Sequence, residues 1–174
     1  MKRHVWQLRS RRCFRILERA FYLGCDRFGS RVCQFSVQHN HIHLIVESGD
    51  AVALARALQG MAISMAKGLN KLMARKGAVF ADRYHARSLR TPTEVRRAIV
   101  YVLGNARKHL PAVGGRPGGD WLDPYSSAAW FGGWARAASP PPGPAPVVPP
   151  ATWLLTTGYL RAGGPVGVAE TPST

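Results

Sequence analysis

Residues 31 to 47 carry the strongest constraint on how this chain can fold. Arg31 to Val37 (RVCQFSV) and His41 to Glu47 (HIHLIVE) are rich in β-branched and aromatic residues, and only Gln38, His39 and Asn40 separate them. So short a connection forces two strands into an antiparallel hairpin, because a parallel pair needs a crossover of a dozen residues or more. Whatever else forms must pack on that ribbon.

Three helices are predicted around it. From Ser10 to Phe28 the residues Phe14, Leu17, Phe21 and Phe28 recur at helical spacing, with Arg11, Arg12, Arg15 and Arg19 on the other face. Asp50 caps a second helix to about Arg75, whose stripe is Leu54, Leu58, Met61, Met65, Leu69 and Leu72; Gly60 and Gly68 weaken it or admit another element. Thr91-Pro92-Thr93-Glu94 is a capping box with proline at the first helical position, so a third helix runs from here to about His109. Its apolar stripe is Val95, Ala98, Ile99, Val102, Leu103 and Ala106. Between the second and third helices, residues 78 to 90 read as a loop and a short third strand.

Beyond Leu110 the texture changes. The expected organisation is a principal domain over residues 1–110, an aromatic-rich extension over 111–138, a proline-rich linker over 139–150 and a C-terminal tail over 151–174. The tail is expected to pack or wrap, with no chemistry resting on it. Cys13, Cys25 and Cys33 form no CxxC pair and read as free, buried thiols.

Charge points to the partner. Twenty-four Lys and Arg against nine Asp and Glu leave a net charge of +15, spread through the first 110 residues rather than held in an arm. A polyanion is the expected ligand, nucleic acid before anionic membrane. No stretch approaches the roughly 20 apolar residues of a spanning helix, and no secretory signal is visible after Met1, so a cytoplasmic protein is expected.

His41 and His43 project from one face of their strand, with Cα atoms roughly 6.5 to 7 Å apart, while Ile42, Leu44 and Val46 take the other. Two readings stand: a pair of satisfied sheet histidines, or two ligands reaching one ion. Zinc would want further His, Cys or carboxylate ligands, and Cys33 is poorly placed. A mixed nitrogen and oxygen site with open positions suits Mg²⁺ or Mn²⁺. On the third helix Tyr101 and Asn105 share a face with Arg97 and Lys108, roughly 90 to 130° from the apolar stripe. Tyr101 is then either a surface residue stacking on a base or a nucleophile aimed at phosphorus.

HNHIHLIVE, GAVFADRYHARSL and a helix bearing YVLGNARKH resemble, in that order and spacing, the single-tyrosine HUH transposases of the REP-associated, insertion-sequence-like branch. The similarity covers about residues 4 to 135. It implies an α+β fold, a ferredoxin-like antiparallel sheet flanked by helices. It also implies nicking and strand transfer of single-stranded or hairpin DNA through a 5′-phosphotyrosine. Carried over residue by residue, Tyr101 is the nucleophile and His41, His43 and Asn105 hold Mg²⁺ or Mn²⁺. Arg83, His85 and Arg87, with Arg97, Arg107 and Lys108 on the helix, are expected to track the DNA backbone, and a homodimer is a further expectation. His39 stands where relatives commonly carry Gly or Pro, as a turn residue or an added DNA contact.

Relatives begin with a strand that would precede HVWQLRSRRCF, so the expected sheet lacks its first strand, with residues 31–37 and 85–90 flanking the gap. A relative that binds single-stranded or hairpin nucleic acid without cleaving it is the alternative function. An RNA-binding structural protein would account for the charge alone, and would leave His41, His43 and Tyr101 unexplained.

Overall fold

The structure, a computed structural model, describes residues 5–109 and 118–172; of His109 only the backbone is described. The fold is mixed α+β, a three-stranded antiparallel sheet in the order β1-β2-β3 with helices on both faces. Helix α1 (Arg11–Gly24) starts at Ser10, whose hydroxyl accepts from the Cys13 N–H at 3.3 Å. It ends before the expected limit of Phe28. Phe28 (φ +56°) and Gly29 (φ +71°) instead form a two-residue turn with both residues left-handed, joining β1 (Asp26–Arg27) to β2 (Ser30–Val37). That backbone twist is the one a tight hairpin requires, and it leaves the Phe28 ring 51% exposed.

β2 pairs with β3 (Ile42–Ser48) in the register Ser36↔His43 and Val37↔Ile42, and the Gln38 N–H closes the turn on the His41 carbonyl at 2.8 Å. The ladder is irregular between Val32 and Gln34. The extra residue there turns Val32, Phe35 and Val37 together into one core, despite their uneven spacing.

Two cores form, one per face of the sheet. On the first, α1 and α2 (Ala51–Leu72) cover β2 with Leu17, Phe21, Met61, Met65 and Leu69; Ile42, Leu44 and Val46 of β3 pack against this cluster. Gly68 permits the close crossing of the two helices, since a Cβ there would lie 2.3 Å from Cγ2 of Ile16. On the second face, α3 (Pro92–His109) packs Val95, Ile99 and Leu103 against Ile45. The capping box forms as predicted: Glu94 N–H donates to Thr91 Oγ1 (3.2 Å) and the Thr91 N–H to Glu94 Oε2 (3.1 Å).

Two expectations are corrected. Residues 78–90 form no strand; Val79 and Leu89 anchor the segment to the two cores, and the residues from 81 to 88 are exposed without a ladder. Nor does the outer edge of β2 face a gap. The Val37 N–H donates to Tyr125 O (2.9 Å), Ser127 N–H to Phe35 O (3.0 Å), Phe35 N–H to Ser127 Oγ (2.9 Å) and Val148 N–H to Val32 O (3.1 Å). The C-terminal third thus satisfies backbone groups that would otherwise be orphaned. Among the described residues β1 and β3 are the edge strands, each with a second edge that no strand pairs.

The tail packs, as expected: Tyr159 and Val166 enter the second core. The segments before it pack as well, Trp134 of the aromatic-rich extension in the second core and Val147 of the proline-rich linker in the first. Glu47 at the end of β3 accepts from the Ala151 and Thr152 N–H groups (2.7 and 2.8 Å), anchoring the short helix α4 (Trp153–Thr156). Burial pushes the Glu47 carboxyl up, but the bonds from Thr152 and Ala151 and the charge of Arg31 outweigh it and hold the pKa low. All three cysteines are buried free thiols.

Candidate active site

The alternation of β3 that sends Ile42, Leu44 and Val46 to the first core sends His43 and Ile45 to the α3 side. His41, just before the strand, takes the same side. The two imidazoles meet edge to face, ring centroids 4.6 Å apart, with Nε2 of each 3.0 Å from the other. Asn40 Oδ1 lies 2.8 Å from His41 Nδ1. A proton on Nδ1 directed at that oxygen would leave the His41 Nε2 lone pair toward the shared space, an orienting contact of the kind metal-bound histidines use. Burial, and then the neighbouring charge of His41, lower the His43 pKa to about 4. That ring is therefore neutral at physiological pH, the form that binds a cation.

Tyr101 projects from the third turn of α3 toward the same place. Its ring stands edge-on to His43, centroids 4.9 Å apart and planes at 73°, and 45% of the residue is exposed. The phenol is thus held beside the histidine pair yet open to a ligand.

His41, His43 and Tyr101 line one end of an open cleft of about 1980 Å³, bounded by β3, α2, α3 and the exposed segment 80–87. Arg83, His85 and Arg87 reach it from that segment and Arg97 from α3. Glu94, beside this entrance, is held below its ordinary pKa first by the Arg90 N–H, with smaller contributions from Thr91 and the charge of Arg87.

Three predicted residues stand apart from the cleft lining. Asn105, one turn beyond Tyr101, is 4% exposed, and among the described residues no hydrogen bond joins its amide to either histidine. Helical periodicity put Asn105 on the outer face with Tyr101. The structure buries it instead, on a helix that packs against both the sheet and the short turn of helix Gly158–Ala162. Arg107 donates to the carbonyls of Gly118, Gly119 and Trp121 (3.1, 3.3 and 2.7 Å), bracing the returning chain. Lys108 is exposed on the last turn.

Tyr84, 48% exposed inside the cleft, and Asn40 carried no role in the sequence reading. The signal for Asn40 was its place directly before His41. Tyr84 offered only its position between Arg83 and His85.

The residues fit a divalent cation. Two ligands about 2.1 Å from an octahedral ion and 90° apart are separated by about 3.0 Å, the spacing of the two Nε2 atoms. Among the described residues no group of three His, Cys, Asp or Glu side chains converges, so a closed, all-protein zinc site is not formed from them.

The α+β unit thus sets two imidazoles and an accessible phenol together at the end of a basic cleft. Residues 3–102 match the family model described as "Transposase IS200 like", and the chain belongs to that family. The match takes in His41, His43 and Tyr101 and ends before Asn105, Arg107 and Lys108. No curated protein matches the chain, and no solved structure does. Among the described residues no helix is long and apolar enough to cross a membrane.

Proposed function

We propose that this protein nicks and rejoins single-stranded or hairpin DNA through a covalent phosphotyrosine on Tyr101, within a ferredoxin-like arrangement of its sheet and helices. The observation that carries the reading is the contact series His41–His43–Tyr101, in which a phenol sits against one of two imidazoles whose Nε2 atoms are 3.0 Å apart.

His41 and His43 would hold Mg²⁺ or Mn²⁺, with Asn105 as the third protein ligand by family resemblance. When bound, the ion supplies positive charge at the non-bridging oxygens of the scissile phosphate. Asn40 fixes the His41 ring, and His43 stays neutral through its burial. The Tyr101 oxygen attacks phosphorus; the bond to the 3′ oxygen breaks as the tyrosyl ester forms, and the departing oxygen takes a proton to become a free 3′-hydroxyl. Rejoining is the reverse displacement by a 3′-hydroxyl, so the ester bond conserves the energy and no nucleotide cofactor is needed. Arg83, His85, Arg87 and Arg97 line the cleft as phosphate contacts, and Tyr84 offers an exposed ring for an unpaired base.

The test is incubation of the protein with labelled single-stranded hairpin DNA and Mn²⁺, followed by denaturing electrophoresis. A DNA–protein adduct is expected from the wild type and is absent in Tyr101→Phe. His41→Ala and His43→Ala abolish the adduct while keeping single-strand affinity within a few-fold, because the basic surface supplies most of the binding. Binding with no adduct from the wild type overturns the catalytic reading and leaves a nucleic-acid-binding member of the family.

A further inference from the structure

The C-terminal third does not cover the outer edge of β2 evenly. Tyr125 and Ser127 bond that edge at Val37 and Phe35, and Val148 bonds it at Val32. Cys33 and Gln34 fall between these anchors, and Cys33 is the residue that the β2–β3 register passes over. A cavity of about 440 Å³ opens there, walled by Cys33, Gln34, Ile99 of α3 and the rings of Trp130, Phe131 and Tyr159. It is separate from the cleft, since no residue lines both. Helix α3 lies between the two, with Ile99 on the cavity and Val100 and Tyr101 on the cleft.

Two polar side chains in the cavity wall are incompletely paired. Gln34 is 6% exposed. The Ser127 hydroxyl accepts from the Phe35 N–H (2.9 Å) and donates to Gln34 Oε1 (2.6 Å), which orients the amide and leaves its NH₂ group with no acceptor among the described residues. Tyr159 is 4% exposed, and its hydroxyl has no hydrogen-bond partner among the described residues. Its ring is held in place by Phe131, centroids 6.1 Å apart, and by Gly133, where a Cβ would lie 2.0 Å from the Tyr159 oxygen. Burial raises the Tyr159 pKa, so the phenol keeps its proton. Burying a polar group without a partner costs free energy, and native folds pair nearly all of them. Two such groups in the wall of one cavity point to a ligand that pairs both.

We infer that this cavity is a binding site for a small, uncharged, flat ring compound of the cyclic amide class. The carbonyl of a cyclic amide accepts from the Gln34 NH₂ group, and its ring N–H donates to the Tyr159 oxygen, so each orphaned group gains a partner. The three aromatic walls suit a flat ring. No Asp, Glu, Lys, Arg or His lines the cavity, so a charged ligand would lose its hydration with no compensation. The volume lies at the lower end of the roughly 300 to 1,000 Å³ typical of small-molecule sites. A free compound is favoured over a base within a strand, because no cation lines the cavity to hold the phosphates that flank a base. The site is thus independent of the nucleic-acid reading of the cleft.

Carbostyril, a two-ring cyclic amide, is the probe, tested on the full chain by saturation-transfer NMR and isothermal titration. Saturable binding to the wild type is expected at sub-millimolar concentration, the range open to a compound of this size. Tyr159→Phe removes a hydroxyl that bonds nothing in the fold, so the urea midpoint should not fall while affinity for carbostyril drops about three- to tenfold. Gln34→Met, similar in volume, should lose affinity at least as strongly. Quinaldate, the same ring system carrying a carboxylate, should bind the wild type at least about tenfold more weakly than carbostyril. Absence of saturable carbostyril binding to the wild type overturns the inference and leaves the two groups to water. Equal affinity in the wild type and Tyr159→Phe overturns it as well, because the probe then binds elsewhere or by apolar contact alone. Should Gln34→Met fail to fold, Tyr159→Phe decides the matter by itself.

Discussion

Removing the Asp123 carboxylate should unlock the C-terminal third of the chain from the sheet. Asp123 receives both terminal nitrogens of Arg9 at 2.8 Å, and its side chain is 0% exposed against 16% for the arginine. Arg9 also donates to the Val37 carbonyl at 2.8 Å, and the Tyr125 N–H donates to Asp123 Oδ1 at 3.1 Å. The pair therefore fastens the end of β2 to the segment that covers its outer edge. Deleting one member of a buried pair strands the other, at a cost of about 3 to 5 kcal/mol. With a urea dependence of about 2 kcal/mol per M, Asp123→Ala should lower the unfolding midpoint by about 1.5 to 2.5 M. That is a large share of a total stability of about 5 to 15 kcal/mol. The double replacement Arg9→Met/Asp123→Leu removes both charges and should recover most of the loss, since an apolar pair of similar volume is often neutral. Urea denaturation followed by far-ultraviolet circular dichroism reads both variants. A midpoint shift under about 0.5 M for Asp123→Ala would falsify the claim that this pair fastens the tail to the sheet.

Two further outcomes follow from the packing. Gly68→Ala places a methyl 2.3 Å from Ile16 Cγ2, so α1 and α2 must separate; a loss of about 1 to 3 kcal/mol is expected in thermal or urea unfolding, and an unchanged midpoint would show that the crossing is not tight. The second outcome concerns acid. The Glu170 pKa is held below its ordinary 4.5, first by its hydrogen bond to Arg96. A depressed carboxylate stabilises the native state fully above its unfolded value and loses that contribution as pH falls through its folded value. Arg96→Gln should therefore show a shallower loss of stability than wild type as pH drops below about 4.5, measured as Tm against pH; parallel curves would exclude the linkage.

The hairpin, the capped start of α3, the Asp50 cap of α2 and the shared face of His41 and His43 were all legible in the chain. Each rests on interactions a few residues long: side-chain alternation, a reciprocal cap, or a turn too short for any other connection. The same locality explains the misreadings. Phe28 satisfied the apolar period of α1, yet the left-handed Phe28–Gly29 turn ended that helix early and formed β1. Residues 78–90 read as a loop and a short strand, but a strand requires a partner edge, and among the described residues none pairs with them.

Only the tertiary structure decided what lies beside each edge and face. It set residues 125–127 and Val148 against the outer edge of β2, although the composition of the C-terminal third suggested no role in the sheet. It buried Asn105, which helical periodicity had put on the outer face, and committed Arg107 to the carbonyls of the returning chain. It also brought Tyr101 to within ring contact of His43 across 58 residues of sequence, by packing α3 on the face to which the strand had already turned its histidines. Sequence alone determined which groups could act together, because residue type and period set the face of each element. Whether they meet depended on contacts between residues far apart in the chain, where burial and backbone pairing outweigh local preference.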